Sequence, residues 1–581
     1  MRKIVIRIAV AATLLLCAGN AFAAPAKRTK IAVRQSDGTE LVVSQRGDEH
    51  FHYFVTDDGL PLIQAENGDF YHAIIKGGSF VASDIMAHSN SQRTEQERTF
   101  IVKRGDISND ISNIRRANVE RRNAARTNSG IRTRAGKTVR YEGNKRGLVI
   151  LVNFKDNAFT IPSPKEHYER MLNEKGYSEN DCHNCVSQYF SDQSNGLFNL
   201  TFDVAGPYTL AQNMEYYGGN DNSGSDKNPR EMIKEACKLA SADVDYSKYD
   251  WFDDGNVDMV FVVYAGYGES QGGAPETIWP HQWELGMQLQ KYDGKRINVY
   301  ACSSELANNT GSTPDGIGTF CHEFSHCLGL PDLYDTQNNK AFGMNRWSLM
   351  DYGTYLGAHE RGECPCNYTT YERWLCGWAT PTELTAATTV QGMASLDSGN
   401  TGYIIYNDAY ADEYYILDNR QKQGWDTYLP GHGLLVTHID YDEKKWYYNN
   451  VNTDISHQRC TIIHADNSAI NSKNSLAGDT YPGIAGNTEL TDTSTPAAHL
   501  FNDNSSGSKY MGKPITGIAE SEDGLISFKF MEGTENAIDG VTVNGESPVE
   551  IHADYRRLLP QGIRLKQYNG KTIKTIDKNK K

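Results

Sequence analysis

The chain has 581 residues, 39% of them hydrophobic and 23% charged, with a net charge of −15. That length gives room for three or four domains, and the acidic balance argues against nucleic acid or anionic membrane surfaces as partners. The charge is unevenly placed: residues 1–23 carry +3 and residues 24–146 carry +6, which leaves −24 on residues 147–581, a basic leader ahead of an acidic body.

Arg2, Lys3 and Arg7, the apolar run Ile8–Cys17 and the small-residue site Ala21-Phe22-Ala23 predict a Sec signal peptide over 1–23. The run is too short to span a bilayer, and no later stretch approaches a span. A secreted or cell-surface protein is expected. Cys17 would suit a lipoprotein, but Leu16 before it is larger than lipidation favours. The ten remaining cysteines, an even number in an oxidising compartment, predict disulfides of unspecified pairing. Cys182-x-x-Cys185 and Cys364-x-Cys366 could alternatively hold a second zinc.

Residues 24–146 read as a propeptide and basic linker. Alternating runs cut by Asp-Gly and Asn-Gly turns between Ile31 and Tyr71 predict a small β-rich unit. Val102–Arg146 holds 13 basic and 4 acidic residues and few apolar ones; part is helical, and Thr127–Arg140 reads as an exposed linker open to trypsin-like or self cleavage.

The catalytic unit is placed at 147–380. Gly147–Phe154 opens its sheet, with helices around Cys185–Phe190 and Arg230–Leu239 and strands around Leu197–Val204 and Val257–Tyr264. Asp250, Asp254 and Asp258 stand at alternating places around Gly255 and resemble part of a calcium loop, although Phe252 occupies a ligand place and no terminal glutamate follows. A helix over Gly316–Leu328 carries His322-Glu323-x-x-His326. Histidines four apart share one helical face and can hold one Zn²⁺, and Glu323 beside them can take a proton from a zinc-activated water and return it to a departing amine. Gly329 permits a left-handed helix end and Pro331 forbids continuation, so the chain can turn back and offer Asp332 as third ligand, with Asp335 as the alternative.

Met350 follows in Ser348-Leu-Met-Asp-Tyr352. H-E-x-x-H-x-x-G-x-x-[HD] with a downstream methionine turn is the metzincin arrangement, in which Met350 would form an apolar floor under the metal. Tyr352 stands where several metzincins carry a tyrosine, a resemblance that implies a hydrogen bond to the tetrahedral intermediate. Beyond the helix at Tyr371–Leu375, strands at Tyr414–Leu417, Leu434–Ile439, Thr461–His464 and Ile526–Phe530 predict a β-rich region over 381–535. The tail 536–581 ends in a hairpin-like piece, Gly562-Ile-Arg564…Asn569-Gly-Lys571. It is similar to Bacteroidetes-type C-terminal sorting tails, with Arg564 where these have Tyr.

Several further stretches, Ser187–Phe198, Val204–Tyr208, Tyr264–Glu269, Ile278–Trp283, Trp347–Gly353, Asp418–Arg420, Gly433–Asp440 and Ala465-Asp466, resemble together the secreted immune inhibitor A-type metallopeptidases. Asp418 stands where that family often has Glu. The resemblance implies an α/β metzincin-like catalytic domain with an N-terminal β-rich propeptide and a C-terminal β-rich domain, one catalytic zinc, and proteolysis of extracellular proteins. The rival functions are a non-catalytic adhesin or glycan-binding module, which would not need Glu323, and a zinc amidase acting on cell-wall peptides. Latency of such a precursor cannot use a cysteine, because none lies between Ala24 and Asp181; Gly47–His50 and Asp57–Gly59 are the segments expected to reach the site.

Overall fold

The fold is that of a computed structural model, which describes residues 24–28, 30–48, 51–65, 67–123, 140–221, 224–337, 340–399 and 401–532, and the strands Ile563–Tyr568 and Lys571–Ile576. Residues 1–23, where a signal peptide is expected, Glu49 and His50, the stretch 124–139 and most of the tail lie outside the described residues.

The sheet of the catalytic unit has five strands in the order His281–Glu284, Val299–Leu306, Val260–Tyr267, Gly143–Asn153, Phe198–Thr209. Four are parallel and the edge strand His281–Glu284 is antiparallel. The apolar run that opens the sheet has no polar alternation because both its faces are covered. Leu148, Ile150 and Val152 pack with Met232, Ile233 and Ala236 of helix Pro229–Ala240 on one side, while Val149 and Leu151 share the other core with Phe320 and Phe324 of the active-site helix Ile317–Cys327. Helix Pro164–Asn173, absent from the sequence reading, starts with Pro and buries His167, Tyr168, Met171 and Leu172 on one stripe.

A second sheet runs Thr382–Glu383, Tyr403–Tyr406, Glu413–Arg420, Gly433–Asp440, Cys460–Ile462. Its alternating residues split between two cores. Ile405, Tyr415, Leu417, Leu434 and Val436 face Phe528 and Phe530 of a three-stranded sheet; Ile404, Tyr414, Ile416, Leu435 and Ile439 join the core that contains the active-site helix. Hydrophobic packing therefore continues across residue 380. Arg420, fully buried, makes a two-pronged pair with Asp426 (Nε–Oδ2 and Nη2–Oδ1, both 2.7 Å) and donates from Nη1 to Trp347 O at 2.8 Å, fixing the entrance to the methionine turn.

The leader forms a six-stranded antiparallel meander, Ile31 to Met86 in chain order. Two helices follow, Glu95–Arg104 and Ser108–Asn123, so the basic stretch is more regular than its composition suggested. Thr94 caps the first by accepting from Glu97 N, and Arg115 of the second pairs with Asp48, both buried. Lys145 and Arg146 lie in the first catalytic strand and not in the linker, with Arg146 paired to Asp203. The tail strands form an antiparallel hairpin with Tyr568 opposite Lys571.

Two expectations are corrected. All ten described cysteines are free thiols, eight of them fully buried among apolar side chains, where they pack as small hydrophobic groups. The loop at Asp250 is already filled: Asp250 accepts from Lys295 Nζ at 2.8 Å, Gly255 N at 2.9 Å and Asp254 N at 3.1 Å, and Asp258 accepts from Trp251 N. The Lys295 ammonium thus pairs with one of the three carboxylates expected to hold calcium. Asp426→Ala leaves the Arg420 guanidinium buried without its partner, so urea unfolding should show a loss of about 3–5 kcal/mol.

Candidate metal centre and catalytic cleft

The active-site helix presents His322 and His326 one turn apart, and Gly329, at φ 92°, ends it in the left-handed conformation that frees the chain to return. The return brings Asp332 to both rings. Asp332 Oδ1 lies 3.2 Å from His322 Nε2 and 3.3 Å from His326 Nε2, and the two Nε2 atoms are 3.1 Å apart. All three residues are buried. Among the described residues, this is the one such group of three or more potential metal ligands.

Each imidazole has its tautomer fixed. His322 Nδ1–H donates to Leu349 O at 2.8 Å and His326 Nδ1–H to Leu330 O at 2.7 Å, so both Nε2 atoms direct lone pairs inward. Burial lowers the His326 pKa and favours its neutral, ligating form. Two lone pairs and a carboxylate oxygen at such separations repel one another unless a cation lies between them. Asp332 Oδ1 also makes no hydrogen bond. Ligands at ~2.0–2.1 Å from a tetrahedral Zn²⁺ stand about 3.3 Å apart, and the donor set of two imidazoles and one carboxylate is that of open zinc sites. The residues fit the metal.

Asp335 is excluded as the ligand by its own bonds: it accepts from the Gln337, Lys340 and Ala341 amides at 3.0–3.3 Å. Asp332 is held instead by a residue the sequence reading missed. Asn449 accepts from Asp332 N at 2.7 Å and donates to Asp332 Oδ2 at 2.5 Å, leaving Oδ1 for the metal. Asn452 continues this support by donating to Leu333 O at 2.7 Å.

Met350 is fully buried in the core that also contains Phe320 and Phe324 of the active-site helix. The turn around it grips the site through its main chain, since Leu349 O takes the His322 ring and Met350 O takes Leu333 N at 2.8 Å. Asp351 ties the turn down by accepting the Met344, Asn345 and Tyr352 amides; burial pushes its carboxyl up to about 8 against those bonds. Tyr352 begins a 3₁₀ turn, Tyr352–Tyr355, at the cleft.

Glu323 is fully buried, and burial raises its carboxyl well above the usual range. Oε1 accepts from the backbone N of Ala24 at 2.8 Å, whereas Oε2 makes no hydrogen bond. Ala24 belongs to a leader segment that runs through the cleft. Its carbonyl accepts from Trp279 Nε1 at 3.1 Å, Pro25 O accepts from the Tyr355 hydroxyl at 2.7 Å, Lys27 N donates to Ser270 O at 2.7 Å, and the Arg28 guanidinium lies 4.6 Å from the centre of the Tyr352 ring. Of the leader residues expected to reach the site, Asp48 pairs with Arg115, Asp57 with Lys30 and Asp58 with Arg93, while Glu49 and His50 lie outside the described residues. Gly47 contributes only its carbonyl, which takes Ala26 N at 2.9 Å.

Residues 146–377 match the family described as immune inhibitor A peptidase M6, catalytic domain. Over 273 residues the chain is 30% identical to "Immune inhibitor A" of Bacillus thuringiensis subsp. alesti, covering 40% of each protein. It is also 30% identical over 220 residues to "Pre-pro-metalloprotease PrtV" of Vibrio cholerae serotype O1 (strain M66-2), covering 33% of this chain and 24% of that one. Residues 146–377 are an immune inhibitor A-type metallopeptidase domain. The chain thus spans well under half the length of these curated relatives. In this M6 domain the stretches Tyr264–Glu269, Ile278–Trp283 and Trp347–Gly353 surround the cleft, which explains why they carried the resemblance. Asn449 lies 72 residues beyond the matched region.

Loss of the Asn449 clamp should loosen the metal without removing a ligand. Asn449→Ala is expected to weaken zinc binding about 10- to 100-fold, measured by competition with a chromophoric chelator, while Asp332→Ala abolishes stoichiometric binding and Asp335→Ala retains it.

Proposed function

We propose that the chain is the precursor of a secreted zinc endopeptidase with a metzincin-like catalytic domain, acting on extracellular proteins and held latent by its own leader. The observation that carries the reading is the convergence of His322, His326 and Asp332 beside a buried glutamate with one unengaged oxygen. A zinc ion held there would supply Lewis acidity to a water and to the peptide carbonyl. The chain's residues supply the rest. Glu323 takes the proton of the attacking water at a carboxylate oxygen and delivers it to the nitrogen of the leaving amine, a transfer suited to a carboxyl whose pKa is raised by burial. Tyr352, from the turn beside the site, would donate a hydrogen bond to the developing oxyanion. The antiparallel edge strand His281–Glu284 and the Trp279 indole line the place where substrate main chain would lie.

Latency is supported by the leader in the cleft. Ala24 engages the proposed base, and Arg28 covers the ring of the proposed oxyanion donor. Attraction between the +6 leader and the −24 remainder adds a long-range term that salt weakens. Export by a signal peptide over 1–23 fits both the named relatives and the finding that no described helix is long and apolar enough to cross a membrane. The C-terminal hairpin suits a sorting tail.

Casein digestion by protein trimmed between Arg126 and Arg140 should be lost on chelation and restored by zinc. Glu323→Ala should retain one zinc and lose several orders of magnitude in turnover; near wild-type turnover would contradict the mechanism. Tyr352→Phe should cost about 10- to 1,000-fold. Precursor whose basic residues between Arg126 and Arg140 are replaced should stay nearly inactive; activity equal to that of trimmed protein would show that the leader only assists folding.

A further inference from the structure

The leader segment in the cleft also displays how one of its side chains is received. Ala24 N contacts Glu323, the group that serves the leaving amine, so Ala24 holds the place of the first residue on the leaving-group side of a scissile bond. Lys27 is then the fourth. The contacts to Ala24, Pro25 and Lys27 described above go to main-chain atoms and would suit many sequences. The Lys27 side chain is different: it is only 8% exposed, and its Nζ donates to Asn308 Oδ1 at 2.9 Å and lies 6.0 Å from the centre of the Tyr355 ring.

Three carboxylates, Asp315, Glu363 and Glu360, attract that ammonium from beyond ion-pair contact. Two of them have cations elsewhere, Glu363 with Arg361 at 3.0 Å and Glu360 with Arg346 at 2.7 Å. Asp315 differs. It is 6% exposed, Oδ1 accepts from Gly316 N at 3.1 Å, and burial pushes its carboxyl up to about 6 against Gln271, Thr319 and the Lys27 ammonium. A buried carboxylate without a close cation is costly, and the lysine ammonium reduces that cost. Removing the leader takes that ammonium away.

We propose that Asp315 and Asn308 form a specificity pocket for the lysine or arginine side chain of the fourth substrate residue on the leaving-group side of the cleaved bond. The inference rests on the peptidase reading and names the class of peptide that this site favours. The Tyr355 ring faces the ammonium, and Asp315 stands two residues before the active-site helix Ile317–Cys327, which carries His322 and His326. A glutamate in that place would meet like charge, and an uncharged side chain would leave Asp315 uncompensated.

The test uses the full chain trimmed between Arg126 and Arg140, loaded with zinc, and four quenched fluorescent peptides that differ only in carrying Lys, Arg, norleucine or Glu at that position. Mass spectrometry of the products fixes the cleaved bond. The account expects kcat/KM for Lys and Arg to exceed that for Glu by about tenfold or more, the ratio to fall toward one in Asp315→Asn, and to rise in Asn308→Asp, each variant being checked for zinc content and melting temperature. Comparing ratios within one protein keeps the result independent of how much enzyme is folded. Casein cleavage with no discrimination among the four peptides would overturn the pocket and leave the peptidase reading standing. So would discrimination unchanged by Asp315→Asn, with Asp315 then only a carboxylate at a helix end. Failure of wild type to cleave casein would remove both.

Discussion

Three ligand atoms must be held within about 3.3 Å of one another, away from water, before any metal is present, and most of the local structure serves that constraint. Imidazole lone pairs and a carboxylate oxygen do not gather unaided. The cost is met by committing every other polar atom of the three residues: Leu349 O and Leu330 O take the two Nδ1–H groups, and Asn449 takes the second oxygen and the amide of Asp332. What is left over is a set of donors whose unmet demand is the size and charge of one divalent ion.

The supports come from far along the chain. Leu349 belongs to the methionine turn, whose entrance is pinned by Arg420 and whose Trp347 indole donates to Asp479 at 2.7 Å. Asn449 and Asn452 follow the strand Gly433–Asp440. The second sheet therefore does two things at once: its inner face completes the core over the active-site helix, and the segments around it fix the ligand loop. A catalytic unit ending at residue 377 or 380 would lack Asn449, Arg420 and the second-sheet residues of the core it shares, among them Ile404, Ile416 and Leu435.

The sequence made the metal site legible because its information is local. A four-residue histidine spacing, a glycine three residues later and an aspartate after a proline are each read from short-range geometry, and Met350 was found by its distance from them. The parallel sheet could be expected from an apolar run without alternation. Asn449 could not be found this way, since it acts across 117 residues on Asp332 and carries no motif of its own. The calcium expectation met a related limit: the spacing of Asp250, Asp254 and Asp258 is visible in sequence, but Lys295, which pairs with Asp250, arrives on a separate hairpin. The cysteines misled because an even count in an exported chain says nothing of whether their positions meet, and each is absorbed into a core. The leader's place in the cleft was likewise invisible, since Ala24, Pro25 and Ala26 are bonded through their main chain.

X-ray absorption at the zinc edge on the purified full-length chain would test the central claim most directly. The account predicts one zinc per chain with two imidazole nitrogens and a carboxylate oxygen at ~2.0–2.1 Å and only light-atom neighbours. Sulfur ligands at ~2.3 Å, or a site whose nitrogen scattering survives replacement of both His322 and His326, would contradict it.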